Sequence, residues 1–147
     1  MTLHRQFAVL VWLFVVLLTA MIVYLQFFER PLLSYKNLPF KVLGPSRPGE
    51  SVKLLVERCN ASSQPLDYEL SHGIRNADTS GPAVALPPGP VPLLLPGCQA
   101  SLSAANVVPA GTSPGCNYIV GGEGLVKGTI RTHRVPWYSE PFCVLAP

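Results

Sequence analysis

Four cysteines, three histidines and one glycine-rich run are the residues whose types and spacing could do chemistry in this chain of 147 residues. Cys59, Cys98, Cys116 and Cys143 admit three pairings as disulfides. A zinc site is the rival use. The smallest separation between successive cysteines is 18 residues and no Cys-x-x-Cys occurs, so the spacing does not favour metal. His4, His72 and His133 are far apart in sequence, with no second histidine at ligand distance and no flanking carboxylate motif. They are expected to be solvated or hydrogen-bonded structural groups. A Cys–His nucleophile needs a free thiol, and disulfide pairing removes every thiol. Gly121-Gly122-Glu123-Gly124 has the look of a phosphate loop, but neither a helical pattern nor a Lys-Ser/Thr pair follows it. It is expected to be a turn between strands. Asn60-Ala61-Ser62 matches a glycosylation acceptor and is expected to be exposed in a turn. No catalytic constellation emerges, no cofactor is implied, and the chain is read as a non-enzyme.

One aromatic cluster could make contacts. Trp137 and Tyr138 lie beside Arg134, and these three residue types dominate interface energies. They form the candidate partner surface, with packing over the end of the domain as the alternative.

The elements that would position these residues divide the chain in four. Residues 1–6 form a short tail. Residues 7–28 contain no charge over 22 positions. As a helix this segment would be about 33 Å long, enough for a hydrocarbon core of about 30 Å. No polar stripe recurs at helical spacing, which argues against a buried soluble helix. A cleavable signal peptide would have a shorter apolar core and a small-residue site; cleavage after Ala20 would leave Met21-Ile22-Val23-Tyr24-Leu25 as a new apolar terminus. An uncleaved transmembrane signal anchor is therefore expected. Residues 29–39, carrying Pro31 and Pro39, read as a linker, and residues 40–147 as one domain.

The domain holds all 12 glycines and 14 of the 16 prolines. Helical periodicity is not sustained over three turns anywhere in it. Short alternating runs separated by turn residues predict seven or eight strands. The clearest is Ser51–Cys59, with Val52, Leu54 and Val56 on one side and Lys53, Leu55 and Glu57 on the other. Further strands are expected at Phe40–Leu43, Leu66–Ser71, Ala100–Val108, Tyr118–Val120, Leu125–Val135 and Ser139–Leu145, with short proline-bounded edge pieces at Ala83–Leu86 and Val91–Leu95 and a polar loop over His72–Pro82. The fold class is mainly β, a sandwich preceded by one transmembrane helix.

From Phe40 on, eight Lys or Arg stand against seven Asp or Glu, scattered without a basic run. That distribution excludes a nucleic-acid partner. A positive-inside count slightly favours a cytoplasmic domain, because Arg30, Lys36 and Lys41 follow the apolar span while Arg5 precedes it. The cysteines argue the other way, since disulfides persist only in oxidising compartments. The expectation adopted is a cytoplasmic N-terminus and an extracytoplasmic domain.

Arg47-Pro48-Gly49-Glu50, Pro114-Gly115-Cys116-Asn117-Tyr118 and Ser139-Glu140-Pro141-Phe142-Cys143-Val144 resemble sequence runs of immunoglobulin-like and fibronectin-III-like sandwiches. The whole chain is similar to small membrane-anchored Ig-like proteins of bacteria and their phages. The resemblance covers about two-thirds of the chain. It departs from the Ig core pattern, as no Trp lies between Cys59 and Cys116. It implies that Tyr118 caps a corner at the start of the penultimate strand. It implies the pairing Cys59–Cys98 and Cys116–Cys143, because the strands ending and starting at these positions would be antiparallel neighbours. It further implies a binding or structural module on the periplasmic face of a bacterial inner membrane, with the lipid bilayer and another envelope or phage protein as partners. The alternative is an accessory subunit held in a membrane complex through its helix.

Overall fold

The computed structural model describes residues 2–79, 81–87, 91 and 93–147. Its first element is helix α1 (Thr2–Phe28). From His4 to Phe28 this helix is long and apolar enough to cross a membrane, and none of that stretch is buried inside the protein. Phe7, Trp12 and Phe27 are each about 70% exposed, so apolar side chains project on every side. A helix with no polar face and no protein cover suits a bilayer, where its backbone groups are all satisfied internally.

Among the described residues the rest is a sandwich of eight strands: β1 (Leu33–Val42), β2 (Ser51–Asn60), β3 (Glu69–Asn76), β4 (Val84–Ala85), β5 (Gly97–Val107), β6 (Gly115–Lys127), β7 (Thr132–Tyr138) and β8 (Phe142–Val144). One sheet runs β1-β2-β5. The other runs β4-β3-β6-β7, with β8 paired to the start of β6. Every named pairing is antiparallel. The alternation read in β2 sets its facing: Val52, Leu54 and Val56 are buried while Leu55 is 47% exposed. They pack with Phe40, Ile74, Val120, Trp137, Phe142 and Val144 from both sheets. A second cluster of Leu33, Leu66, Tyr68, Leu94 and Val126 fills the end next to α1.

Three expectations change. Residues 29–39 are not a linker, because Leu33 is fully buried and opens β1. Pro39 is accommodated where β1 slips register between Lys36 and Lys41, on the outer strand of its sheet, which owes no ladder bond on one side. The expected polar loop from His72 is instead the continuation of β3. His72 and Ile74 are buried, and pairing with β6 extends to Asn76. The glycine run 121–124 is no turn but the middle of β6. A Cβ on Gly122 would lie 1.8 Å from the Ser71 carbonyl oxygen, so the glycine lets β3 approach. The turn falls later, between Lys127 and Thr132. Of the expected strand Val91–Leu95, Leu94 bridges to Leu66, and Pro92 lies outside the described residues.

The cysteines pair Cys59–Cys98 and Cys116–Cys143, as expected. Cys59 and Cys98 stand directly opposite each other in β2 and β5. The second bond ties β6 to β8. Each staple therefore lies within one sheet, and the two sheets are held together by side-chain packing and by backbone bonds such as Glu140 N–H to the Phe40 carbonyl. The Tyr118 hydroxyl donates to the Ser113 carbonyl, 2.8 Å away, closing the corner before β6.

Candidate functional site

The most constrained polar site joins the end of α1 to the β6–β7 hairpin. Glu29 follows Phe28 directly, and its N–H donates to the Leu25 carbonyl at 3.1 Å, continuing the helical pattern. Its carboxylate accepts the Thr129 N–H through Oε1, and its Oε2 lies 3.2 Å from His133 Nε2. The Arg131 guanidinium donates to the Glu29 carbonyl at 3.4 Å. The Glu29 and His133 side chains are only 12% and 7% exposed. Gly128 makes room: a Cβ there would come within 2.6 Å of Glu29 Oε2 and 2.8 Å of His133 Nε2. Three residues beyond Glu29, Leu32 accepts the Ala61 N–H at 2.8 Å and Leu33 enters the core. Helix and sandwich are thus joined by a polar clamp and a buried strand rather than a tether.

The sequence reading placed His133 as a hydrogen-bonded structural group, which it is. Glu29 it passed over. Its signal was faint but present: a lone carboxylate at the edge of the apolar span, and a histidine one turn past a Gly-Thr.

The Thr129 N–H, followed by the remaining hydrogen bonds, holds the Glu29 carboxyl down to about 2, from an ordinary 4.5. A depressed carboxyl stabilises the state that ionises it at pH above the ordinary value and loses that contribution as pH falls towards the depressed one. The docked hairpin is therefore expected to persist at pH 5 and above and to loosen between about 4.5 and 2. Amide exchange of Thr129 measured across that range checks this. Glu29→Gln should abolish the pH dependence at Thr129 while sparing the β2–β5 amides.

A second polar cluster lies between the sheets. Tyr35 Oη, Arg58 Nε, His72 Nε2 and Trp137 Nε1 are buried without a hydrogen-bond partner among the described residues, and all four residues line one cavity of about 30 Å³. Arg58 donates through its terminal nitrogens to Tyr68 Oη and to Ser101 Oγ, the latter at 2.6 Å. Burial pushes the Tyr35 hydroxyl pKa up and the His72 imidazole down, so both are neutral at physiological pH. Arg58 and Trp137 can only donate, whereas a neutral imidazole nitrogen and a phenol oxygen can accept. A guest that both accepts and donates suits them, and the volume holds about two water molecules at roughly 10–15 Å³ each. Tyr35→Phe is therefore expected to lower Tm, by about 4 °C for a loss near 1 kcal/mol. In a dry cavity the same change would remove an unpaired buried hydroxyl and raise Tm.

The expected partner cluster is divided by strand alternation. Trp137 is 6% exposed and packs in the core with its ring 6.0 Å from that of Phe40 and tilted against it, so it offers no surface. Tyr138, on the opposite face, is 50% exposed, and Arg134 is exposed and 3.1 Å from Glu123. Asn60 is likewise not an exposed acceptor. It is 3% exposed, and its side-chain nitrogen donates to Gln64 and Leu94 carbonyls.

One surface escaped the sequence reading. On the outer face of the β1-β2-β5 sheet Leu55 and Leu102 are cross-strand neighbours, 47% and 56% exposed. Leu102 belongs to β5, which is paired only to β2 among the described residues and carries neither charge nor proline over eleven residues. All four thiols are in disulfides, and among the described residues no group of three His, Cys, Asp or Glu could hold a metal ion.

No protein-family model matches this chain, and no curated protein matches it.

Proposed function

We propose that this protein is a non-enzymatic module whose sandwich is held at a set height on the outer face of a membrane, where it presents a binding surface to another protein. The carrying observation is the Glu29 clamp, which makes α1 and the sandwich one body. A domain serving only as a soluble catalyst or a free-swinging lure has no need of such a joint. The exposed Leu55–Leu102 pair and the uncharged edge of β5 supply the surface; a long edge without charge or proline is a template for an added strand.

The two disulfides support an extracytoplasmic sandwich. The three-strand and five-strand sheets and the Tyr118 corner support an Ig-like reading. On that reading the partner is an envelope or phage protein, met at the periplasmic face of a bacterial inner membrane. The alternative is an accessory subunit whose contacts are made by α1. Photo-crosslinking side chains placed at Leu102, at Tyr138 and at Trp12 in the membrane-bound chain separate the two. Adducts from Leu102 or Tyr138 with none from Trp12 support presentation by the sandwich. Adducts from Trp12 alone support the subunit reading and overturn the first.

A further inference from the structure

The clamp sets the depth of the β6–β7 hairpin as well as its contacts. From His4 to Phe28 the helix has 25 residues. At about 1.5 Å each it is about 37 Å long, exceeding the hydrocarbon core of about 30 Å; headgroup layers add roughly 5–7 Å on either side. The last turn of α1 therefore emerges into the headgroup layer. Its aromatic residues agree: Tyr24 stacks on Phe28 at 5.2 Å, and both, with Phe27, are exposed along the helix end.

Glu29 is the next residue, and the hairpin tip is bonded to it from both sides, by the Thr129 N–H and the Arg131 guanidinium. The tip must then share the depth of Glu29. At its apex Ile130 is 43% exposed and belongs to neither core cluster. Arg131 follows Ile130 in the chain, and Arg30 follows Glu29, to which the tip is bonded; both are exposed, as is Lys127 at the base of the hairpin. Acidic groups occur at this end too. Asp67 and Glu69 are exposed and share one groove with Lys127 and Thr132 at the base of the hairpin, so they offset Lys127 and leave the apex cations Arg30 and Arg131. Glu29 itself is occupied by Thr129 and His133.

We infer that the β6–β7 hairpin is a second membrane contact, with Ile130 entering the boundary between acyl chains and headgroups and Arg30 and Arg131 meeting phospholipid phosphates. An apolar apex beside cations has the chemistry of that boundary, where basic side chains extend along the interface and apolar ones dip below it. The inference rests on α1 being a membrane anchor. It adds that the sandwich lies against the lipid and does not stand clear of it.

Bromine-bearing acyl chains quench an indole that reaches their depth, and the full chain in vesicles of such phospholipids gives the test. In a Trp12→Phe background, Ile130→Trp should lose emission to lipids brominated high on the acyl chain and be spared by lipids brominated near the terminal methyl. Leu102→Trp in the same background should be spared by both, and the emission of Trp137, read from Trp12→Phe alone, is subtracted. If the indole at position 130 is spared by both lipids while Trp12 of the native chain is quenched, the hairpin contact is wrong and the anchor stands. If Trp12 is also spared, the anchor reading fails, and the inference with it.

Discussion

Cys59→Ala and Cys98→Ala should each destabilise the sandwich by the same amount, and combining them should add little. The two thiols form one bond, closing 39 residues, so either change opens it. In the chain-entropy account a loop of that size is worth ~4 kcal/mol, and the 27-residue separation of Cys116 and Cys143 ~3.5 kcal/mol. A domain of this size has about 5–15 kcal/mol in total, so either loss removes a large share. Cys59→Ala with Cys116→Ala opens both bonds and should approach the sum, which leaves little net stability. Denaturant unfolding of the four single and three double variants reads the pattern. A mixed double no worse than a single would mean that Cys59 bonds to Cys116 across the sheets.

Gly122→Ala should be nearly as damaging as losing a staple, although it adds one methyl group. Its Cβ would meet the Ser71 carbonyl oxygen at 1.8 Å and the His72 Cα at 2.7 Å, both backbone atoms that no rotamer can move aside. The β3 and β6 strands must part where they are paired from Glu69 to Asn76. Overpacking usually costs about 1–3 kcal/mol, and a backbone collision belongs at or above the top of that range, about 3 kcal/mol. Gly111→Ala is the control, since nothing lies within 4 Å of its added carbon and it should leave Tm nearly unchanged. Equal effects at the two positions would mean that β3 and β6 do not approach as described.

These two cases mark how much the sequence disclosed. Alternation in Ser51–Cys59 was enough to orient β2 and to name three core residues, because a half-buried strand repeats every second position. The resemblance to a sandwich favoured, among three possible pairings, the one the cysteines make. Glycines 121–124 misled, because local preference for a turn competes with a demand that only the partner strand imposes, and that partner lies some fifty residues earlier. Prolines 31 and 39 misled in the same way: both interrupt a helix, but an outer strand with a register slip tolerates Pro39. In the sequence Trp137 and Tyr138 read as a unit, either a surface patch or packing over the end of the domain, whereas neighbours in a strand point to opposite faces and one of each is found. The clamp was hardest to see. Glu29 and His133 are 104 positions apart, and nothing in either neighbourhood announces the other.

The central claim is that α1 and the sandwich move as one body on a membrane. Nitrogen-15 relaxation of the full chain in lipid nanodiscs tests it most directly. Rigid attachment predicts that amides of β2, β3 and β6 relax with the slow tumbling of the whole disc, and that Glu29→Ala sharpens them by freeing the hairpin. Narrow sandwich resonances in the native chain, relaxing as a small domain on a loose tether while α1 follows the disc, would contradict it.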